Sequence, residues 1–275
     1  MFRVTSLHTM GETIAPTQLD AAAANALRDR WNVVRQRVEA AAKQSDRKPS
    51  EVLLVVVTKS GSIDQIRELV NLGQIDLAEN RVQQLVQRSA TTGEWLQRRK
   101  EMDPKAVVPL VRWHMIGSLQ RNKVRKCMEV ARLIHGVDSL RLAEEMQAAA
   151  VRRETPMEVL IEVNVSGEAT KQGIASPAVK HLLDQMDTMA NLKVRGLMCM
   201  APLAGGADAA RQTFSRCREV FDDCRRVGSG GDRFDILSMG MSSDFEIAIE
   251  CGANLVRVGS AVIGPPQVEE PAEDA

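Results

Sequence analysis

Lys59 stands where a run that wants to be buried gives way to a turn. Three valines, Val55, Val56 and Val57, follow Leu53 and Leu54, and such a run reads as a strand apolar on both faces, the kind found in parallel sheets covered by helices. A Ser-Gly-Ser turn and the periodic segment IDQIRELV come next. In parallel α/β folds ligands gather at that edge of the sheet. An amine partly withdrawn from water loses some preference for its charged form, and can then condense with an aldehyde as a Schiff base.

Two small-residue loops far along the chain offer a different chemistry. MGMSSD and RVGSAVIG can bring backbone N–H groups close to phosphate oxygens, with Ser242 and Ser260 adding hydroxyl donors. Arg257 sits inside an apolar strand, where its charge is expensive to bury without a partner. An aldehyde-reactive lysine opposite two phosphate-sized loops points to pyridoxal 5'-phosphate (PLP). Each residue also has a plainer reading. Lys59 could be solvent-capped, or a point charge for another phosphorylated metabolite; the glycines could serve tight turns; Arg257 could sit in a structural salt bridge.

These groups meet only if the elements between them bring the strand ends together. Residues 17–43 read as one long amphipathic helix, followed by the strand LLVVV and the helix IDQIRELV. IDLAEN, WHMIG, RLIHGVD, EVLIEVNV, LKVRGLMCM, DILSMG and NLVRVGSAVIG supply seven further strands, with helical patterns between them. Residues 91–112, interrupted by Gly93, Pro104 and Pro109, read as a surface excursion. Eight strand–helix alternations at this length predict an α/β fold, a single (β/α)8 TIM barrel, with a doubly wound sheet as the rival. Lys59 then follows the first strand, Asn80 the second and Ser242 the seventh, while Arg257, Gly259 and Ser260 lie on and after the eighth. Their strand ends surround one mouth. Residues 1–16 read as a loose N-terminal segment, 17–264 as the barrel with its N-terminal helix, and 265–275 as a disordered acidic tail.

The 275 residues are 44% apolar and 26% charged, with 36 basic against 36 acidic side chains. This balance gives no overall pull toward nucleic acid or an anionic membrane. No apolar run approaches the roughly 20 residues of a membrane helix. Five dispersed cysteines without a CxxC, and no secretory segment at the start, predict reduced thiols in the cytoplasm. The four histidines show no metal-ligand spacing. Cys199, in LMCM, reads as an inert buried thiol; His114 could line the mouth or satisfy a core hydrogen bond.

The segments VVVTKS, LAENRVQQL, WHMIGSLQRNKV, IHGVDSLRLAEE, VLIEVNVSGEATKQG, LKVRGLMCMAPL, LSMGMSSDFEIAIECG and VRVGSAVIG resemble, in order, the YggS/PROSC family of pyridoxal phosphate homeostasis proteins. The resemblance spans about residues 53–264. It implies a barrel similar to the N-terminal domain of alanine racemase, with PLP at the C-terminal mouth. It assigns Lys59 as the Schiff-base lysine, and matches Asn80 to the family's G-E-N segment. Met241 and Ser242 match the first phosphate loop, and Gly259 with Ser260 the second. Arg257 matches the arginine facing the pyridine nitrogen. Ala78 departs from the family's usual glycine, and Ser260 from its usual threonine; the serine keeps the donor hydroxyl.

An arginine is a donor only, so the ring nitrogen it faces must be an unprotonated acceptor, a poor arrangement for stabilising a substrate carbanion. Barrel-type alanine racemase manages with a second, largely β domain and a tyrosine from the partner subunit. This sequence has no tyrosine, and only a short acidic stretch follows the eighth strand. The expectation is a monomeric, non-catalytic PLP carrier in transient contact with PLP-dependent apo-enzymes, affecting amino-acid and keto-acid metabolism. The alternatives are a PLP-dependent racemase or other PLP enzyme of unidentified substrate, and a protein-interaction module.

Overall fold

The structure, a computed structural model, describes residues 19–265 apart from 152, 166–171, 203 and 229. The loose segment at 1–16, the loop after the fifth strand and nearly all of the acidic tail lie outside the described residues. Among the described residues are nine parallel strands: β1 (Leu53–Val57), β2 (Asp76–Glu79), β3 (Arg112–Met115), β4 (Ala131–Val137), β5 (Met157–Asn164), β6 (Ile174–Ala175), β7 (Leu192–Met198), β8 (Ile236–Ser238) and β9 (Leu255–Val258). Eight of them close on themselves, since β4 pairs with β5 and β9 with β1. The two-residue β6 is an extra pairing on the end of β5. The predicted eight-stranded barrel is the observed one.

The strand pattern divides the core into two layers. Val55, Val57, Ala78, Leu133, Leu160, Met198, Ile236 and Leu255 fill the barrel interior. Their alternates, among them Val56, Leu77, Ile134, Ile161, Leu197 and Val256, pack outward against the helices. This alternation is the period of two that a strand imposes. The interior layer also holds polar side chains of the same parity, including Asp76, His114, His135, Glu162, Ser238 and Arg257, all buried.

Helix α1 (Ala21–Gln44) begins at Asp20, whose carboxylate accepts from Ala23 N at 2.7 Å, and buries Leu27, Trp31, Val34 and Val38 along one face. Helix α2 (Ile63–Asn71) carries a reciprocal capping box between Ser62 and Gln65. Both helices reach the end of the chain's last described helix, α9 (Ser260–Ile263). Arg30 Nε donates to Val262 O at 2.9 Å and Gln65 Nε2 to Ile263 O at 3.1 Å. They therefore hold the exit of β9, where a candidate phosphate segment lies.

One expectation is corrected. Residues 91–102 are not a surface excursion: α3 runs without interruption from Val82 to Met102. Leu85, Thr92 and Leu96 are buried at helical spacing, and this face outweighs the roughly 1 kcal/mol that Gly93 costs in a helix interior. A Cβ at Gly93 would meet nothing, so the glycine lies on the open side. The helix stops just ahead of Pro104, and 103–111 form the loop to β3. The remaining helices are α4 (Val124–Val130), α5 (Leu140–Ala150), α6 (Val179–Met186), α7 (Gly206–Arg226) and α8 (Phe245–Glu250). No helix among the described residues is long and apolar enough to cross a membrane.

Candidate functional site

Lys59 is exposed on the turn that follows β1. The turn is fixed from below. Thr58 N donates to Ala78 O at 2.9 Å, and the Thr58 hydroxyl bonds Glu79. Arg88, from the second turn of α3, bonds Glu79 and the carbonyl oxygen of Thr58, and reaches Gly61 O at 2.7 Å. Glu79 is fully buried, so this ion pair lies out of water and ties β2, α3 and the lysine turn into one unit. Asn80 follows directly, half-buried at the end of β2.

The opposite side of the mouth is built by the exits of β8 and β9. Gly240 has φ +87°, and a Cβ there would come within 2.7 Å of Ala248 Cβ and 2.8 Å of Phe245 Cα. Only glycine lets the chain turn this close to α8. Met241 N donates to Asp244 Oδ1 at 2.6 Å, and the loop then presents Ser242. Ser242 Oγ accepts from Gly259 N at 3.2 Å and Ala261 N at 3.3 Å. Gly259 sits against Val57, with a would-be Cβ 3.3 Å from Val57 Cβ. This contact joins the β9 exit to the strand that carries Lys59. Ser260 is exposed at the first position of α9.

Arg257 lies deeper, 3% exposed, in the barrel interior. No carboxylate is in direct contact with it in the ion pairs of the described residues. Instead Nη1 donates to Ser238 Oγ at 2.6 Å and Nη2 to Cys199 O at 3.0 Å. Burial pulls its guanidinium below the ordinary value, partly offset by the charges of Glu162 and Asp244. The structural salt bridge considered for Arg257 is thus replaced by neutral acceptors.

The sequence of the chain matches the alanine racemase N-terminal domain family over residues 23–266. A relative from Aquifex aeolicus, the pyridoxal phosphate homeostasis protein of that organism, is 35% identical over 236 residues, covering 86% of this chain and 96% of its own. The chain belongs to the pyridoxal phosphate homeostasis (YggS/PROSC) family. PipY of Synechococcus elongatus, a structure solved with PLP bound, superposes with a TM-score of 0.69 at 29% identity, covering 84% of this chain and all of PipY. Alanine racemase of Clostridium difficile shares the fold at a TM-score of 0.64 and 14% identity, over 90% of this chain and 62% of the racemase.

In this member of the pyridoxal phosphate homeostasis family, the two doubtful residues have definite places. Cys199 is buried and contributes its carbonyl, not its thiol, to Arg257. His114 does not line the mouth; it is 2% exposed and hydrogen-bonded within the barrel interior. Two features escaped sequence reasoning. The first is the Glu79–Arg88 clamp, whose only signal was a carboxylate in a short apolar strand with an arginine nine positions on. The second is Glu162, 4% exposed and of the same parity as Leu160 in the interior layer. Burial, with Asp138 nearby, pushes its carboxyl up to about 7 against an opposing pull from Arg257. The acidic residue inside EVLIEVNV was visible, but not what surrounds it.

Proposed function

We propose that this chain binds PLP at the barrel mouth and takes part in intracellular PLP homeostasis, storing, delivering or buffering the cofactor without turning over a substrate. When bound, the cofactor supplies an aldehyde carbon that a primary amine can attack. Lys59 fits that role, as an exposed amine on a braced turn. Ser242 accepts two backbone N–H groups and still has its own hydroxyl proton to give a phosphate. Ser260 offers a second hydroxyl, and Gly240 and Gly259 leave the backbone open to close approach. Asn80 and Met241 complete the rim. The PLP-bound PipY relative supports the cofactor, and the name carried by the Aquifex relative supports the role.

The observation that carries the non-catalytic part is Arg257. The buried guanidinium is held by neutral acceptors; it would meet the pyridine nitrogen of bound PLP as a donor, and so would weaken the ring as a sink for negative charge. The chain has no tyrosine to act as the opposing acid–base residue. All five cysteines are unpaired, in keeping with a reducing cytoplasm. There the protein acts as a monomer in transient contact with PLP-dependent apo-enzymes. The test is transfer: the loaded protein should restore activity to an apo-enzyme, while L- and D-amino acids in deuterated water show no α-proton exchange above free PLP. Rapid, saturable racemisation of one amino acid, lost in Lys59→Ala, contradicts the carrier reading.

A PLP-dependent racemase or other PLP enzyme is the second reading, favoured by Glu162 alone, a carboxyl titrating near neutrality and within electrostatic reach of Arg257. It predicts α-proton exchange that Glu162→Gln removes.

A further inference from the structure

Five polar side chains of the barrel interior, Asp76, His114, His135, Ser238 and Arg257, are joined end to end. At one end Arg112 Nε donates to Asp76 Oδ1 at 2.7 Å, and its Nη2 bonds the other carboxylate oxygen. Asp76 Oδ1 is 3.1 Å from His114 Nε2, and His114 Nδ1 is 3.0 Å from His135 Nε2. His135 Nδ1 is 3.1 Å from Ser238 Oγ, which accepts from Arg257 Nη1. Asp76 and Arg112 open β2 and β3; Ser238 closes β8 and Arg257 is next to last in β9. The row therefore runs from the strand starts to the mouth.

The chemistry of its ends restricts where the protons lie. Both arginines can only donate. Burial would raise the Asp76 carboxyl, but hydrogen bonds from His114 and Arg112 outweigh it and hold the group below its usual range. Asp76 thus accepts, and His114 Nε2 carries a proton. Burial, with the charge of Arg257 nearby, pushes His135 well below its ordinary value, so its ring is neutral, with one donor and one acceptor.

Two arrangements remain. In the first, His135 Nε2–H donates to His114 Nδ1 and the Ser238 hydroxyl donates to His135 Nδ1, so every hydrogen bond points toward Asp76. In the second, His114 carries protons on both nitrogens, and Ser238 Oγ must accept from His135 as well as Arg257. The first gives every N–H and O–H of the row an acceptor, whereas the second leaves the Ser238 hydroxyl proton outside the row. It also makes Ser238 a better acceptor for Arg257, because a hydroxyl that donates is polarised toward accepting.

We propose that Asp76, His114, His135 and Ser238 form a one-directional positioning relay for Arg257, with the Nε2–H tautomer on both imidazoles. The orientation of the guanidinium at the mouth then depends on a carboxylate at the other end of the barrel. For what Arg257 touches, this rests on the proposed PLP site; for the relay itself it does not.

Two-bond 1H–15N correlation spectra of the full chain, histidine-labelled and without added PLP, read the tautomers directly. His114 and His135 should both be neutral with the proton on Nε2. A doubly protonated His114, or His135 protonated on Nδ1, overturns the relay. A PLP titration of Asp76→Asn and Ser238→Ala then reads the coupling. Both should move the absorbance band of bound PLP relative to the unsubstituted protein, and Ser238→Ala should weaken binding about ten-fold, as expected for one charge-assisted hydrogen bond. A band unmoved in both variants overturns the relay and leaves the PLP site standing. Absence of any band in the unsubstituted protein overturns the PLP site, while the tautomers still decide the relay.

Discussion

Ser242 Oγ accepts the backbone N–H of Gly259 at 3.2 Å and that of Ala261 at 3.3 Å. One side chain from the loop after β8 thereby sets the conformation of the exit of β9. The two phosphate segments inferred separately from the sequence are one structural unit, and a defect in either is felt by both.

The double variant Ser242→Ala, Ser260→Ala should therefore lose two hydroxyl donors and loosen the β9 exit. Each charge-assisted bond is worth about 1.5–3 kcal/mol. The PLP dissociation constant in an equilibrium fluorescence titration should rise at least about ten-fold. Pyridoxal without its phosphate should bind the parent protein weakly and be indifferent to the double change. Equal PLP affinity in the two proteins would remove the phosphate from this segment.

Arg88 is expected to matter through stability. Replacing it by methionine leaves Glu79 fully buried without its ion-pair partner, a defect that typically costs about 3–5 kcal/mol. Urea unfolding should show that loss, and the pair Glu79→Gln with Arg88→Met should recover part of it. A single Arg88→Met within about 1 kcal/mol of the parent would mean that the clamp is not what holds the Lys59 turn.

Glu162 predicts a pH dependence with a definite sign. Its carboxyl titrates at about 7 in the folded chain against 4.5 unfolded. Below 4.5 both states hold the proton, and its contribution to stability is fully present. Between 4.5 and 7 the unfolded chain releases the proton first, so stability falls as pH rises, by up to about 3 kcal/mol. Above 7 the loss is complete. Glu162→Gln should gain on the parent protein across that window, as measured by denaturant midpoints from pH 4 to 8. Parallel curves would show that Glu162 is not the group responsible.

The fold was legible because its signals are local. Runs such as LLVVV announce buried parallel strands, and β1 spans those five residues. Residues 91–102 misled because Gly93 is a helix breaker only where nothing else compensates; the buried face of Leu85, Thr92 and Leu96 depends on tertiary packing that no local pattern reports. Among the candidate site residues, Lys59, Asn80, Ser242 and Gly259 could be placed at one mouth from strand order alone. Arg257 could be picked out, but not its acceptors, since Ser238 and the carbonyl of Cys199 are residues of ordinary type in other strands. The histidine row is invisible in sequence for the same reason: His114 and His135 lie 21 positions apart on adjacent strands, and only barrel closure brings them to Ser238.

The central claim is that PLP is held covalently by Lys59, and borohydride reduction tests it most directly. The purified protein, loaded with PLP and reduced, should yield one pyridoxyl-bearing peptide on mass mapping, with the modification on Lys59, and Lys59→Ala should yield none. A pyridoxyl group on another lysine, or none in the parent protein, would contradict the account.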